Sequence, residues 1–283
     1  MATFRLYSWG NVGDAILLTP VLRSLRRRYP SVRIILYVEK PSHREVYMHN
    51  PRIDRIRRLG VLAAFVHGLI PGRVFRAPLG DVRPNVLYET HASRIMGEMI
   101  GLEIKDTAPE LFLTDDERAL GRRLVQNLPR PSIAVHPIST FEPKNWPHDR
   151  WEQLVAQRPE WSFVQIGGAG ETPIRGAADM RGKSLRVTFS IIGACDALVG
   201  VDSGMVHAAA ALRKPSVVLF GPSSPMVYGH VGLVHLRAKV DCEPCLGILR
   251  DDLCPFNNKC INAISIAAVD ERLSEVVTRH GTE

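Results

Sequence analysis

The sequence predicts an α/β protein built as two strand-helix halves. Three observations carry that reading. Short apolar or β-branched runs, such as Val32 to Val38 and Ser162 to Ile166, alternate with stretches of helical spacing. The alternation stops at Pro129-Arg130-Pro131 and then restarts. Composition is that of a packed globule, with 45% hydrophobic and 23% charged residues and with 22 Gly and 20 Pro scattered through 283 residues. That is enough chain for two domains of about 140 residues each. Disorder, collagen and coiled coil are excluded by the same figures. No apolar run reaches the roughly 18 residues that span a bilayer, and Met1 to Leu6 lacks the basic-then-apolar order of a secretion signal, so the expected location is cytoplasmic.

Thr3 to Tyr7 reads as the first strand. Ser8-Trp9-Gly10-Asn11-Val12-Gly13-Asp14 follows as a glycine loop. Ile16, Leu17, Val21, Leu22 and Leu25 then fall at helical spacing, and Arg26-Arg27-Arg28 supply the cations that suit the last turn of a helix dipole. After the strand at 32–38, a helix is expected near 41–49, a strand near 53–59 and a helix near 92–102. Thr114-Asp115-Asp116-Glu117 has capping-box spacing, which starts a helix running to about Asn127. Beyond the prolines the expected order is strand 132–135, helix 149–157, strand 162–166, then a Gly167-Gly168-Ala169-Gly170 turn with a helix into Met180. Helix 188–193, strand 197–201, helix 205–212, strand 216–220 and a terminal helix near 267–279 complete it. Domains are therefore expected at 1–128 and 129–283, with a cleft between them.

Charge is unevenly divided. Residues 1–128 hold 20 basic and 13 acidic side chains, and the remaining 16 basic and 16 acidic balance, so the whole formal excess of +7 lies in the first half. That half is expected to meet something anionic: an acidic or phosphorylated acceptor, a membrane headgroup face, or nucleic acid. The alternative is a solvated arginine-rich surface.

Each candidate site residue has two readings. Asp14 opens the first helix, where a carboxylate either caps first-turn amides or acts from the mouth of a cleft. Lys144, just ahead of Trp146-Pro147, stands in a loop at the carboxyl edge of the second sheet, where open α/β sheets bind ligands. A lone exposed lysine is otherwise simply solvated. Asp202 and Ser203 end an apolar strand and Gly204 begins the next helix, so the amides of that helix start form an anion site. His207 either faces this site or packs among Ala208 to Ala211. Glu171 closes a glycine turn, and turns use glycine freely. Cys242, Cys245, Cys254 and Cys260 place four thiols in 19 residues, a spacing that suits a closed, tetrahedral four-thiolate zinc or iron site. The alternative is four reduced loop cysteines.

In chain order, Gly13-Asp14, His136-Pro137 with Lys144-Asn145-Trp146-Pro147, Gly167-Gly168-Ala169-Gly170-Glu171, and Asp202 through His207 followed by Phe220-Gly221-Pro222 resemble glycosyltransferase family 9, the bacterial heptosyltransferases. The resemblance implies the GT-B architecture: two Rossmann-like domains facing a central cleft, with acceptor mainly on the first and nucleotide-sugar donor mainly on the second. It implies that Asp14 is the general base for the acceptor hydroxyl, that Lys144 contacts donor phosphate and that Glu171 holds ribose hydroxyls. Ser203 and Gly204 would receive the diphosphate, with His207 among the donor residues. Asp202 would repel phosphate and instead meet sugar hydroxyls or fix the loop. A sugar hydroxyl is a poor nucleophile while it keeps its proton, so a carboxylate in hydrogen-bond reach lowers the barrier. The implied outcome is inversion by single displacement, with no cofactor for the chemistry. In GT-B folds the terminal helix often packs back across to the first domain, and a structural zinc or iron at the cysteines would fix that return. The chain departs from the family at 60–92, which is compact and offers no recognisable acceptor motif.

The expected function is therefore transfer of a heptose, with ADP-heptose as donor, to a hydroxyl of lipopolysaccharide core, a protein Ser/Thr, a glycan or a small metabolite. An anionic acceptor would dock on the basic first half, with peripheral contact at the inner-membrane surface. The rival is a noncatalytic nucleotide- or nucleic-acid-binding protein carrying a structural four-cysteine metal site. A pI near 9.4 favours it. The lack of aromatic residues between the arginine runs opposes it, so nucleic acid is not the expected partner.

Overall fold

Thr3–Ser8 (β1), Arg33–Val38 (β2) and Arg55–Arg58 (β3) pair in parallel, in that order, to make the first sheet. The computed structural model describes residues 3–58, 89–245 and 254–280. The expectations for 60–92 and for the stretch between Cys245 and Cys254 fall largely or wholly outside them. Val12–Leu17 (α1) and Thr19–Arg28 (α2) replace the single helix expected after the first loop. The break has a local cause: Pro20 has no N–H to give to the carbonyl of Ile16, and Thr19 Oγ1 donates to it instead at 2.7 Å. Ile16, Val21, Leu22 and Leu25 are buried as their spacing requires. Pro41–Tyr47 (α3) and Ala92–Glu98 (α4) complete the described elements of this unit.

The chain divides into Met1–Phe112 and Leu113–Glu283, not at 128/129. The reason is the helix Asp115–Val125 (α5), which packs on Leu185–Ala194 (α7) of the second unit. A Cβ at Gly121 would overlap the backbone carbonyl of Ser190, so glycine permits the approach. Arg186 of α7 holds Glu117 of α5 with its Nε donating at 2.7 Å. Pro129 and Pro131 end a helix without separating domains. The expected capping box is present: Glu117 N–H donates to Thr114 Oγ1 at 3.2 Å, and Thr114 N–H donates to Glu117 Oε2 at 2.8 Å.

The second sheet is parallel throughout its described strands: Ser132–His136 (β4), Ser162–Gln165 (β5), Ala178–Asp179 (β6), Ala197–Val201 (β7), Ser216–Leu219 (β8) and Val234–Leu236 (β9), in the spatial order β6-β5-β4-β7-β8-β9. His148–Ala156 (α6) and Ile266–His280 (α11) cover one face, burying Trp151, Leu154, Val269 and Leu273 against Ile133, Val135, Val199 and Val217. Alternate strand residues such as Ala134, Leu198 and Val218 point the other way. On that side Gly204–Ala211 (α8) lies on β7 and β8 and against α7. Short helices Pro225–Tyr228 (α9) and Lys259–Asn262 (α10) sit in the connections.

Two further expectations change. The turn at 167–170 leads to the edge strand β6 and not to a helix, because Gln165 keeps the chain extended: its side chain accepts from Ile174 N–H and donates to Thr172 O, and its carbonyl accepts from Met180 N–H at 2.9 Å. The terminal helix α11 lies on its own unit's sheet, where Val269, Leu273 and Val276 join the core and Arg158 holds Asp270 with two hydrogen bonds of 2.6 and 2.7 Å. Among the described residues no helix is long and apolar enough to cross a membrane.

Candidate functional site

The strand order reverses direction between β4 and β7, and the crevice at the carboxyl ends of those two strands is where doubly wound sheets take ligands. His136, the last residue of β4, is the register partner of Gly200 in β7. A Cβ at Gly200 would stand 2.7 Å from the His136 carbonyl, so a side chain there would force the strands apart. Beyond β7 come Asp202 and Ser203, then Gly204 as the first residue of α8. Ser203 is the N-cap of α8, yet its Oγ lies 2.9 Å from His136 Nδ1. Burial pushes His136 down to about 4, so its imidazole is neutral near pH 7.

Lys144, at the end of the single-turn helix Glu142–Lys144, reaches into the same crevice. Its Nζ donates to Asp202 Oδ2 at 2.6 Å and lies 5.3 Å from the centre of the Tyr228 ring. Ser223 Oγ donates to the same carboxylate oxygen, also at 2.6 Å. Burial alone would raise Asp202, but the Lys144 ammonium and His207, with the hydrogen bonds from Lys144 and Ser223, outweigh it and hold the carboxyl below its usual range. An ammonium has three donors, so the one given to Asp202 leaves Lys144 able to meet a further oxygen. Together with the first-turn amides of α8, it makes this crevice suited to an anion.

His207 is buried one turn into α8, its Nδ1 2.7 Å from His230 Nε2, so one ring donates and the other accepts. The backbone N–H of His230 donates to His235 Nε2, and burial lowers His235 against a smaller pull from Asp202. His207 thus packs against His230 and also lowers the Asp202 carboxyl. Glu171 folds back over its glycine turn, Oε1 accepting from Gly168 N–H at 2.7 Å. A Cβ on Gly167 would overlap that carboxylate. Burial raises the Glu171 carboxyl, opposed by the Gly168 hydrogen bond and by Arg181.

Asp14 belongs to the first unit. It is the third residue of α1, and its Oδ2 accepts from Asn11 N–H at 2.8 Å, a first-turn capping contact. Gly10 makes room for it: φ is +88°, and a Cβ there would overlap the Asp14 carboxylate. Two of the four cysteines lie beside the Gly221-Pro222 loop that follows β8. Cys245 N–H donates to Pro222 O at 2.8 Å, and a Cβ at Gly221 would stand 3.3 Å from Cys260 Sγ. Burial pushes Cys245 up, with Cys254 and Cys242 adding, and pushes Cys260 up to about 11. The donor set suits zinc or iron. As arranged, however, no three His, Cys, Asp or Glu side chains among the described residues stand together closely enough to hold an ion.

Lys144, Asp202, Ser203 and Gly204 thus come together, with His207 behind them. Ser223, Tyr228 and His230 also belong to this cluster and were not singled out from sequence. Ser223 follows the Phe220-Gly221-Pro222 run and could have been suspected; Tyr228 ends the four-residue helix α9 and His230 follows it, in a stretch too short for periodicity to mark them. His136 stood in a quoted motif without a role.

Residues 178–250, which include β7, α8 and the loop after β8, match glycosyltransferase family 9 (heptosyltransferase). Over 121 residues the chain is 35% identical to lipopolysaccharide heptosyltransferase 1 of Pseudomonas aeruginosa, covering 38% of this chain and 34% of that protein. Over 135 residues it is 30% identical to lipopolysaccharide heptosyltransferase 2 of Escherichia coli K12, covering 41% and 39%. The chain is related to glycosyltransferase family 9. The matches span between about a third and two fifths of these curated relatives' length. Solved structures alike over nearly the whole chain are a family 9 glycosyltransferase from Veillonella parvula, with TM-score 0.78, 17% identity and 98% of each chain covered, and the E. coli ADP-heptose lipopolysaccharide heptosyltransferase II, with TM-score 0.74, 19% identity and coverage of 99% and 100%. A third is the iron-containing dodecameric glycosyltransferase TibC of enterotoxigenic E. coli, with TM-score 0.71, 17% identity and coverage of 99% and 79%; TibC is also described in complex with ADP-D-β-D-heptose. The fold of the chain is accordingly GT-B, with two Rossmann-like units.

Proposed function

We propose that this chain is an inverting glycosyltransferase that moves a heptose from ADP-heptose to an acceptor hydroxyl. The observation that carries the reading is the Lys144–Asp202 pair beside the first turn of α8, at the reversal point of a parallel sheet. In this reading Lys144 and the amides of Ser203 and Gly204 receive the diphosphate, Glu171 takes the ribose hydroxyls, and Asp202 fixes Lys144 or meets sugar hydroxyls, with His207 holding the loop behind it. Asp14 takes the acceptor proton as the hydroxyl oxygen bonds to the anomeric carbon, and the diphosphate leaves from the opposite face with the electron pair of the broken C–O bond. The ADP-heptose complex of TibC supports the choice of donor. The curated relatives' names support lipopolysaccharide core as acceptor beside a protein Ser/Thr, a glycan or a small metabolite. The basic excess of the first half suits an anionic acceptor and peripheral contact with the inner-membrane surface from the cytoplasm.

The proposal extends to a structural zinc or iron held by Cys242, Cys245, Cys254 and Cys260. Thiolate spacing, the closeness of Cys245 and Cys260 to the Gly221-Pro222 loop and the iron of TibC support it. Binding there would draw the thiols together and add to folding free energy. The test of the reaction is a screen of nucleotide sugars against candidate acceptors read by mass spectrometry. A heptose mass on a defined acceptor is expected. Donor hydrolysis and transfer both absent across the screen would overturn it.

A further inference from the structure

The second unit has another concavity, at the amino edge of the sheet and so at the far end of the strands from Lys144 and Asp202. It is a cavity of about 250 Å³ lined by Arg118 and Arg122 of α5, Arg130 just before β4, Asp196 just before β7, Lys214 just before β8, and Gly193 near the end of α7. Four cations thus face one carboxylate. That carboxylate is already engaged: Asp196 accepts from Ser132 N–H at 2.7 Å and from Ser132 Oγ at 3.0 Å, and it pairs with Arg130. The nearby acid Glu117 is held by Arg186. Among the described residues no ion pair ties Arg118, Arg122 or Lys214 to a carboxylate.

Like charges are gathered here against their own repulsion. Arg118 and Arg122 are four residues apart on one helix face, a spacing at which like charges disfavour the helix. Lys214 is held below its usual range by burial, and Arg130 pushes in the same direction, against Cys195 and Asp196. The volume is below the roughly 300–1,000 Å³ of pockets for drug-sized ligands, which selects a small ligand. Guanidinium forks match the oxygens of a phosphate in pairs, and a lysine adds a point charge.

We propose that this cavity binds a small phosphate-bearing anion, at a site separate from the donor crevice. Free phosphate and a phosphate headgroup share the required chemistry. The test titrates the full chain with inorganic phosphate by calorimetry, at constant ionic strength, first without and then with ADP, and repeats it on Arg118→Gln/Arg122→Gln and on Lys214→Met. The two arginines are exposed, so their double variant keeps its fold. One phosphate per chain is expected in the wild type despite ADP, with affinity falling about tenfold or more in each variant, the cost of losing a charge-assisted hydrogen bond. Unchanged affinity in both variants, or phosphate binding that ADP abolishes, overturns the proposal. Vesicles of phosphatidylglycerol and of phosphatidylcholine identify the source. Retention on the first alone, lost in the arginine variant and competed by phosphate, upholds the site with a headgroup as ligand; phosphate binding without retention upholds it with a soluble ligand.

Discussion

Replacing Lys144 by Met should destabilise the second unit in a pH-dependent way. The pair it breaks is buried, with Lys144 13% and Asp202 2% exposed at the side chain. Removing one partner of such a pair costs about 3–5 kcal/mol, because the other charge stays buried without compensation. Ser223 still donates to Asp202, which offsets roughly 1 kcal/mol, so about 2–4 kcal/mol is expected at neutral pH. In the wild type the Asp202 carboxyl is depressed, so its contribution is present above the unfolded carboxylate value of about 3.9 and is lost as pH falls through the lower native value. In the variant the largest of the effects that oppose burial is gone, with only His207 and Ser223 left against it, and Asp202 is expected to rise above its unfolded value. The folded variant then binds a proton, and its deficit against the wild type should shrink as pH is lowered from about 7 toward about 4. Urea unfolding of both proteins across that range measures it, with Lys144→Met/Asp202→Asn expected to recover most of the loss. A deficit below about 1 kcal/mol at neutral pH, or one that grows in acid, would refute the reasoning.

Asp14→Asn should lower transfer by about 10²- to 10⁴-fold while leaving ADP affinity nearly unchanged, because it removes a base and no donor contact. Steady-state rates beside a nucleotide titration check this, and wild-type turnover would leave Asp14 as a helix-capping residue only. Cys245→Ser and Cys254→Ser should each lower thermal stability more than they alter ADP affinity, in protein that carries close to one zinc or iron per chain. Metal analysis showing none, with four titratable thiols, would leave reduced loop cysteines. Thr114→Ala should cost about 1 kcal/mol by removing the side chain that caps α5, with Thr114→Ser retaining most of it; equal unfolding midpoints for all three would contradict the capping assignment.

Most of the second sheet was legible because its strands are buried on both faces and read as continuous apolar runs: Ala197–Val201 and Ser216–Leu219 contain only buried residues. The capping box at Thr114 was legible because both partners lie within four residues. What failed depended on longer reach. Gln165 holds 172–174 through a side chain that spacing does not reveal, so the helix expected into Met180 is an edge strand. The unit boundary moved because Gly121 lets α5 pack onto α7, a contact between residues far apart in the chain. At the site, Lys144, Asp202, Ser203 and Gly204 were marked by loop position. Tyr228 and His230 take their places only through the fold, and so do the five charged residues of the amino-edge cavity.

The most direct test of the central claim is calorimetric titration of the purified chain with ADP, set beside a single-stranded oligonucleotide. Saturable binding of one ADP per chain, weakened by Lys144→Ala and not by Asp14→Asn, is the predicted result. No saturable ADP binding, with saturable and salt-sensitive binding of the oligonucleotide, would contradict the account and leave the basic first half as the part that acts.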